Sequence, residues 1–598
     1  MPTLPKPVVR DPSVTFEEYV YWAKLTRREE AEANRARLDA RGSKKVGRGA
    51  FVAPGRRAGG GEKHASVSVQ PPAPPDQQAT AADPDPLGGG RGGGRGAAGG
   101  ADMMSRATPQ DWAQAERGLR TTSWGAVFFL ITTDILGPMT TPWAFAQTGY
   151  GPGVALYTVF GALAAYSGYI VWKTYIGLDS DRYPLVTFGD LFYRLFGALP
   201  RHCMNFMLSF QMMLFVSTVI LQSGQGISQI SQGRDAARGG GGGGLCFVVC
   251  MLIFMFAGLL VSQVRTLQRV AWLANLAVWV NVTILLIWKW VCSIGVVVHY
   301  PPNFKATQAS YGEAFGPAPV RTFAGQPPAG MASGGAGFVA SLNGLNQAVY
   351  SYGGCMAFVA FMAEMRHPVD FWKALLCGQA FIYAVYIFFG MFVYSFQGQF
   401  AFNPVMQGLS PYAFQTAANV LFLVGGLIAC TLYSNVGFKV IYMDVFQELL
   451  GFPPLTARKG RVAWAVCIPA FWVVAFLVAA AVPQLSFVSG LIGALFILTL
   501  TYTAPALLAL GYQLRSDAMV DGEERFDPAT RTYTYVDTGL PRYWRAYKKN
   551  PVINTCNVLY TLGSLVTTAL GVYSSVDGLI GAFGGKSVAT SFGCKPPV

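Results

Sequence analysis

Eleven apolar runs divide this chain, at roughly 122–148, 152–175, 202–230, 245–263, 270–297, 337–362, 374–395, 412–448, 462–482, 484–510 and 552–576. Each is about 20 residues or longer, the length a helix needs to cross a bilayer. The pattern predicts an all-α polytopic membrane protein of about eleven transmembrane helices. The third and eighth runs are long enough to imply tilt or an extension beyond the membrane. Two runs are broken midway by small, helix-breaking residues: Gly137-Pro138-Met139-Thr140-Thr141-Pro142 in the first and Ser351-Tyr352-Gly353-Gly354 in the sixth. An opened turn in a bilayer is costly unless its freed N–H and C=O groups meet protein, water or ligand. Two such breaks five spans apart predict a midplane site for a small solute, as in secondary transporters.

The chemistry of the breaks sharpens this. Pro138 and Pro142 each remove a backbone donor and disfavour a continuous helix. The backbone of Gly137, Met139, Thr140 and Thr141 would then form a polar pocket, and a helix restarting near Pro142 would aim its positive end at a carboxylate. Gly353 and Gly354 have little helix preference, and Tyr350 and Tyr352 offer rings and hydroxyls beside them. Carbonyls at Ser351, Tyr352 and Gly353, closing a half-helix, would suit an ammonium. Donors from span one and acceptors from span six fit a zwitterionic α-amino acid. The competing reading is a pair of kinks that serve packing alone.

Charged residues inside apolar runs are few, which makes Asp134 and Lys439 informative. Counted along their helices, both lie about 16–18 Å from the same membrane face, so the two could meet. Burial disfavours both charges unless they pair, so either could bind and release a proton during transport. A permanent ion pair that fixes helix positions is the alternative. Thr431 and Ser434, one turn above Lys439, could offer hydroxyls to a cation beside span one, though packing is the favoured reading of both. Glu364-Met365-Arg366-His367-Pro368, then Asp370 and Lys373, reads as a charged turn at the inner end of span six, with a gating salt bridge as the second reading.

Composition supports a membrane class: of 598 residues 52% are hydrophobic and 13% charged, well below the usual quarter. The net charge of +14 could suggest nucleic acid. Its placement argues for topology instead. With the N-terminus in the cytosol, eighteen lysines and arginines fall on the inner side of the spans and six on the outer, as the positive-inside rule requires. An odd number of spans then leaves the C-terminus outside. Ten cysteines lack framework spacing, and Cys246 and Cys250 share a helical face that suits packing. Four histidines, all outside the apolar centres, argue against a metal site, and no catalytic constellation lies within reach of a span centre.

Residues 1–121 form a polar tail with no secretory-leader pattern. A helix is predicted over 14–40, capped by Thr15 ahead of Glu17 and Glu18. Its Phe16, Tyr19, Val20 and Ala23 share a face that could dock on the inner loops or on a cytosolic regulator. Residues 42–108, rich in Gly, Pro, Ala and Arg, are expected to be disordered. Gly239 to Gly244 read as a spacer, not a phosphate cradle. The organisation expected is a tail (1–121), spans one to five (122–297), an outer loop (298–336), spans six to ten (337–510), an inner loop (511–551), span eleven (552–576) and an outer tail (577–598).

The segments D-I-L-G-P-M-T-T-P-W-A-F-A-Q-T-G-Y-G-P-G (134–153), S-Y-G-G-C-M-A-F-V-A-F-M-A-E-M-R-H-P-V-D-F (351–371), Y-S-N-V-G-F-K-V-I-Y (433–442) and D-P-S-V-T-F-E-E-Y (11–19) resemble the amino acid/auxin permease family, in particular the fungal neutral amino acid permeases. The resemblance implies a leucine-transporter-like fold, in which spans one to five and six to ten form an inverted repeat with broken helices one and six. It also implies proton-coupled amino acid uptake by alternating access. By position, the backbone at Gly137, Met139 and Thr140 would receive the carboxylate, and Ser351 and Tyr352 would face the amino group. The proline after Gly137 and the glycine-run loop depart from the family pattern.

The leading expectation is therefore a secondary transporter of amino acids, neutral ones favoured, driven by a proton gradient in preference to sodium and without a cofactor. Its partners would be the amino acid, the bilayer and cytosolic regulators of the tail, with no nucleic acid. A plasma-membrane location is favoured over a vacuolar one. The alternatives are an amino-acid-sensing receptor that signals through its tail, or a carrier of another organic acid or amine.

Overall fold

The computed structural model describes residues 12–46, 120–237, 244–264, 267–293, 320–328, 331, 337–409, 412–452, 455, 458–481, 485–520, 523–583 and 594. The chain forms two compact units, one of Met1–Pro7 with Thr26–Trp112, the other of Val8–Leu25 with Ala113–Val598. In the first unit the described part is the distal stretch of helix α1 (Phe16–Val46), mostly polar, with an Arg27–Glu30 ion pair at 2.6 Å. The expected disorder over 42–108 lies outside the described residues apart from the end of α1. The glycine run at 239–243 and most of the loop at 298–336 lie outside them as well.

The second unit is almost wholly helical. Its helices are α2 (Trp124–Ile135), α3 (Thr141–Thr148), α4 (Tyr150–Leu178), α5 (Phe188–Phe196), α6 (Ala198–Ala237), α7 (Phe247–Val261) and α8 (Leu267–Ser293). They continue with α9 (Phe338–Ser351), α10 (Phe358–Glu364), α11 (Phe371–Gln397), α12 (Tyr412–Ile441) and α13 (Arg458–Ala481). The last are α14 (Leu485–Ile492), α15 (Ala504–Ala518), α16 (Leu540–Lys549) and α17 (Pro551–Phe583). A wider, π-type turn extends α12 over Tyr442–Leu449, and another joins α14 to α15 over Gly493–Thr503. A two-stranded hairpin, β1 (Phe526–Asp527) and β2 (Thr532–Tyr533), precedes α16.

Among the described residues, seven continuous helical stretches are long and apolar enough to cross a bilayer, and α7 and a part of α8 are shorter apolar helices. The protein is thus a mostly helical, multi-pass membrane protein. Their outward faces carry large apolar side chains such as Phe256, Trp279 and Leu562, each more than half exposed, as expected of lipid-facing surface.

Local chemistry sets the key corners. Gly149 joins α3 to α4 with a φ of 81°, and a Cβ there would come within 1.9 Å of the Gly325 carbonyl. Only glycine fits. Helix α5 begins with a capping box: Thr187 Oγ1 accepts from the Asp190 N–H at 3.2 Å, and Asp190 Oδ2 accepts from the Thr187 N–H at 2.9 Å. Arg201 of α6 is buried and bonds Asp444 and, at 2.6 Å, Glu448 beyond the end of α12, which ties these two long, adjacent helices at one end.

Candidate functional site

The first and sixth apolar runs are each two helices. Between α2 and α3 the chain leaves the helix at Leu136-Gly137 and makes a single 3-10 turn over Pro138–Thr140. Between α9 and α10 it opens at Tyr352-Gly353-Gly354 and makes a similar turn over Cys355–Ala357. The two openings touch: a Cβ on Gly354 would stand 2.6 Å from Asp134 Oδ2 and from the Ile135 side chain.

Three neighbouring helices hold the first opening apart. In an uninterrupted helix, the carbonyls of Asp134, Ile135 and Leu136 would accept from residues 138, 139 and 140. Pro138 has no N–H, and the turn diverts the others. Instead Tyr433 Oη of α12 donates to the Asp134 carbonyl at 2.8 Å, Tyr386 Oη of α11 to the Ile135 carbonyl, and Asn281 Nδ2 of α8 to the Leu136 carbonyl at 3.4 Å. Tyr386 also reaches the second opening. Its hydroxyl accepts the Gly137 N–H at 3.0 Å and lies 2.7 Å from the Ser351 carbonyl. One hydroxyl proton thus serves two carbonyls, one on each broken helix.

Both openings line a cavity of about 120 Å³, room for about four waters at liquid density or one small organic molecule. Asp134, Gly137, Met139 and Thr140 line one side, Ser351 and Gly353 another. Tyr350, Phe215 and Tyr433 form an aromatic wall, with Phe215 in ring contact with Tyr350 at 5.6 Å and with Tyr433 at 5.2 Å. Met139 sends its side chain away into an apolar cluster with Phe389 and Met406, which leaves its backbone for the cavity. Both Asp134 carboxyl oxygens and Thr140 Oγ1 are buried, with no hydrogen-bond partner among the described residues.

Other sequence-selected residues sit elsewhere. Lys439 does not reach Asp134; its Nζ lies 4.0 Å from Glu364 at the end of α10. The expected shared depth is not observed: Tyr433 of α12 lies beside Asp134, and Lys439, six residues further along the helix, lies about 9 Å away at 1.5 Å per residue, near the Glu364 end that adjoins Thr122. Glu364 belongs to a closed end. Thr122 donates its N–H to the Glu364 carbonyl at 3.1 Å and accepts from the Arg366 N–H at 3.0 Å, so the starts of α2 and the end of α10 are bridged. Thr431 Oγ1 bonds the Leu427 carbonyl, and Ser434 Oγ bonds the Cys430 carbonyl and Ser262, so neither hydroxyl lies at the cavity. Tyr352 turns away from it too. Its ring packs on Gly161 of α4 and against Tyr386 at 5.3 Å. Thr141 lies just beyond the cavity and its N–H bonds the Pro138 carbonyl. Asn281 and Tyr386, which the sequence did not single out, are the polar supports of the opening. Tyr433 had appeared only inside a family-like segment.

The second unit also holds the start of α1. Phe16, Tyr19, Val20 and Ala23 are buried, with Phe16 against Tyr512 and Tyr19 against Tyr183. Tyr19 meets the Tyr183 ring at 5.2 Å, and the Arg194 guanidinium lies 4.5 Å above its own ring. Glu18 accepts from Tyr183 Oη at 2.7 Å and from Arg531 at 3.2 Å. Burial and this carboxylate push the Tyr183 phenol above its ordinary range. Cys246, at the start of α7, is disulfide-bonded to Cys594 near the C-terminus. The packing role expected for Cys246 beside Cys250 gives way to this bond, which a spacing rule cannot reveal across 348 residues.

Residues 120–521 match the model of a family described as transmembrane amino acid transporter protein. A protein of Neurospora crassa named N amino acid transport system protein is 21% identical over 475 residues, covering 79% of this chain and 87% of that one. A protein of Fusarium pseudograminearum named transmembrane transporter is 22% identical over 391 residues, 65% of this chain and 75% of that one. Among solved structures, a sodium-coupled sialic acid symporter in a substrate-bound outward-open state aligns over 77% of this chain and 91% of its own, at 12% identity and a TM-score of 0.45.

Proposed function

The chain belongs to the transmembrane amino acid transporter family, and from that membership we propose that it is a secondary transporter of neutral amino acids, working by proton-coupled symport and alternating access. The observation that carries this is the meeting of two helix openings at one cavity of amino-acid size. In this reading the backbone of Met139 and Thr140, beside the positive end of α3, receives the carboxylate. The Ser351 and Gly353 backbone, at the negative end of α9, receives the ammonium. Counting α2–α3 and α9–α10 as one interrupted span each, together with α7 and α8, gives eleven spans. The breaks then fall at equivalent places in two five-span repeats.

We assign the coupling proton to Asp134 and not to Lys439, Thr431 or Ser434. An unpaired carboxylate charge in a low-dielectric interior is costly. The Asp134 carboxyl at the cavity edge, facing no cation among the described residues, therefore calls for a proton or a bound cation at each stage of the cycle. The placement of basic loops supports a cytosolic N-terminus, and the Cys246–Cys594 bridge supports an oxidising compartment on the opposite face. Both agree with a plasma-membrane location, the vacuolar membrane being second.

Uptake of a labelled amino acid panel into proteoliposomes, with and without an imposed pH gradient, tests the reading. Asp134→Asn is expected to abolish uptake driven by the pH gradient while sparing substrate exchange. Unchanged pH-driven uptake in that variant defeats the proton assignment. Absence of saturable uptake of any amino acid by the wild type defeats the function. The docked start of α1 favours one further reading, a sensor that signals through its tail. Deletion of residues 1–110 would then remove signalling and leave transport.

A further inference from the structure

Three inner-loop arginines do more than orient the chain. Arg194 of α5, Arg515 in the last turn of α15 and Arg542 in the first turn of α16 line one open cavity of about 410 Å³. Two helices also begin there: Thr15 and Phe16 open α1, and Thr538 and Gly539 lead into α16, which has no side-chain cap. The positive ends of two helix dipoles therefore adjoin three arginine residues, the end of α1 being offset by Glu17 and Glu18 in its first turn.

That charge is only partly balanced. Arg194 donates to the carbonyls of Leu178, Tyr183 and Pro184 and feels the Asp179 and Asp190 carboxylates without an ion pair to either among the described residues. Arg515 lies 5.7 Å from the Phe16 ring centre and likewise pairs with no described carboxylate. Arg542 is satisfied, at 3.4 Å by Glu17 and at 2.9 Å by Glu524. Glu17, the acid on the cavity wall, is thus already engaged. What remains uncommitted is the Arg515 guanidinium and the uncapped start of α16, and a guanidinium with a helix N-terminus is a usual receptor of a phosphate oxyanion.

The surroundings suggest how a phosphate would arrive. On α16, Arg542 and Ala546 are buried while Leu540 and Trp544 are 84% and 60% exposed. Tyr543 is both exposed and part of the cavity wall. Lys548 and Lys549 follow, and α17 begins at Pro551. A short helix with exposed Trp and Tyr on one face, leading into a span, lies in the headgroup layer of a membrane. We propose that this cavity binds the phosphate of an anionic lipid headgroup, at the rim of the bilayer and against the start of α1.

The test uses the full chain in nanodiscs of phosphatidylcholine alone or with a phosphatidylinositol phosphate added, and counts retained lipid by native mass spectrometry. Anionic lipid is expected to be retained and to raise the thermal midpoint. Arg515→Gln, which breaks no ion pair, should lower retention about five-fold, the worth of one basic residue at such a surface. Arg515→Lys should restore most of it. Thr538→Glu, which places a carboxylate on the cavity wall, should act like Arg515→Gln, and Lys459→Gln, outside the cavity, should change nothing. Equal retention by the wild type, Arg515→Gln and Thr538→Glu overturns the proposal. So does stabilisation in pure phosphatidylcholine discs by soluble inositol trisphosphate as large as that by the lipid, because the site would then take a free phosphate ester. Lipid retention is read without transport, so its failure stays separate from any failure of the transport reading.

Discussion

Replacing Tyr386 by phenylalanine removes one oxygen and keeps the ring, which packs against Tyr157 at 5.8 Å and Tyr352 at 5.3 Å. The oxygen is the acceptor of the Gly137 N–H and the donor to the Ile135 or Ser351 carbonyl. Its loss leaves the cavity-facing Gly137 N–H without this acceptor and unpairs the two carbonyls, on the buried residues Ile135 and Ser351, that shared one proton. An unsatisfied buried group costs about 1–3 kcal/mol. The groups lie beside a cavity that admits water, so a value of about 2 kcal/mol is expected, roughly 30-fold in the population of the open-backbone geometry. The assay is saturable uptake in proteoliposomes at matched protein density, with binding of the same substrate followed by a thermal shift. Tyr386→Phe should insert normally and bind and carry substrate about 30-fold less well. Uptake and substrate-induced stabilisation within two-fold of wild type would refute the view that this hydroxyl holds the two openings in register.

Four further outcomes follow from the geometry. Gly354→Ala drives a methyl against Asp134 and Ile135 and should destabilise the fold by about 1–3 kcal/mol, read as a lower thermal midpoint in detergent. Gly137→Ala meets nothing within 4 Å and should stay within about 0.5 kcal/mol of wild type; equal losses in the two would contradict the packing described. Glu18→Ala removes bonds to Tyr183 and Arg531, a loss of about 2 kcal/mol for charged partners, and limited proteolysis should then cut near residues 12–25 at least ten times faster. A membrane-impermeant maleimide applied to intact cells should label Cys246 and Cys594 only after reduction, and labelling that needs permeabilisation would invert the proposed orientation.

What could be read from sequence follows the physics of each signal. The two openings were legible because proline and glycine act locally: Pro138 removes a donor wherever it stands, and Gly353-Gly354 weakens a helix in any surroundings. The apolar face of α1 was legible by its period, though not its contacts with Tyr183 and Arg194. Depth was not legible: rise per residue is fixed, but the point at which each helix enters the membrane is not written in its own sequence. Asp134 and Lys439 were placed at one level, yet the lysine faces Glu364, a residue seen beforehand only as part of a charged turn. Tyr386 and Asn281 gave no signal, because a polar group in an apolar run shows its role only when the neighbouring helix is known. Tyr352 misled for the same reason: adjacency to a break in sequence did not make it adjacent to the cavity.

A cryo-EM map of the protein in nanodiscs, saturated with the amino acid it carries best, bears most directly on the account. Density for one small molecule should appear between 137–140 and 351–353, its carboxylate toward the start of α3 and its ammonium toward the end of α9. Density in another place, or either interrupted span wound continuously through those residues, would contradict it.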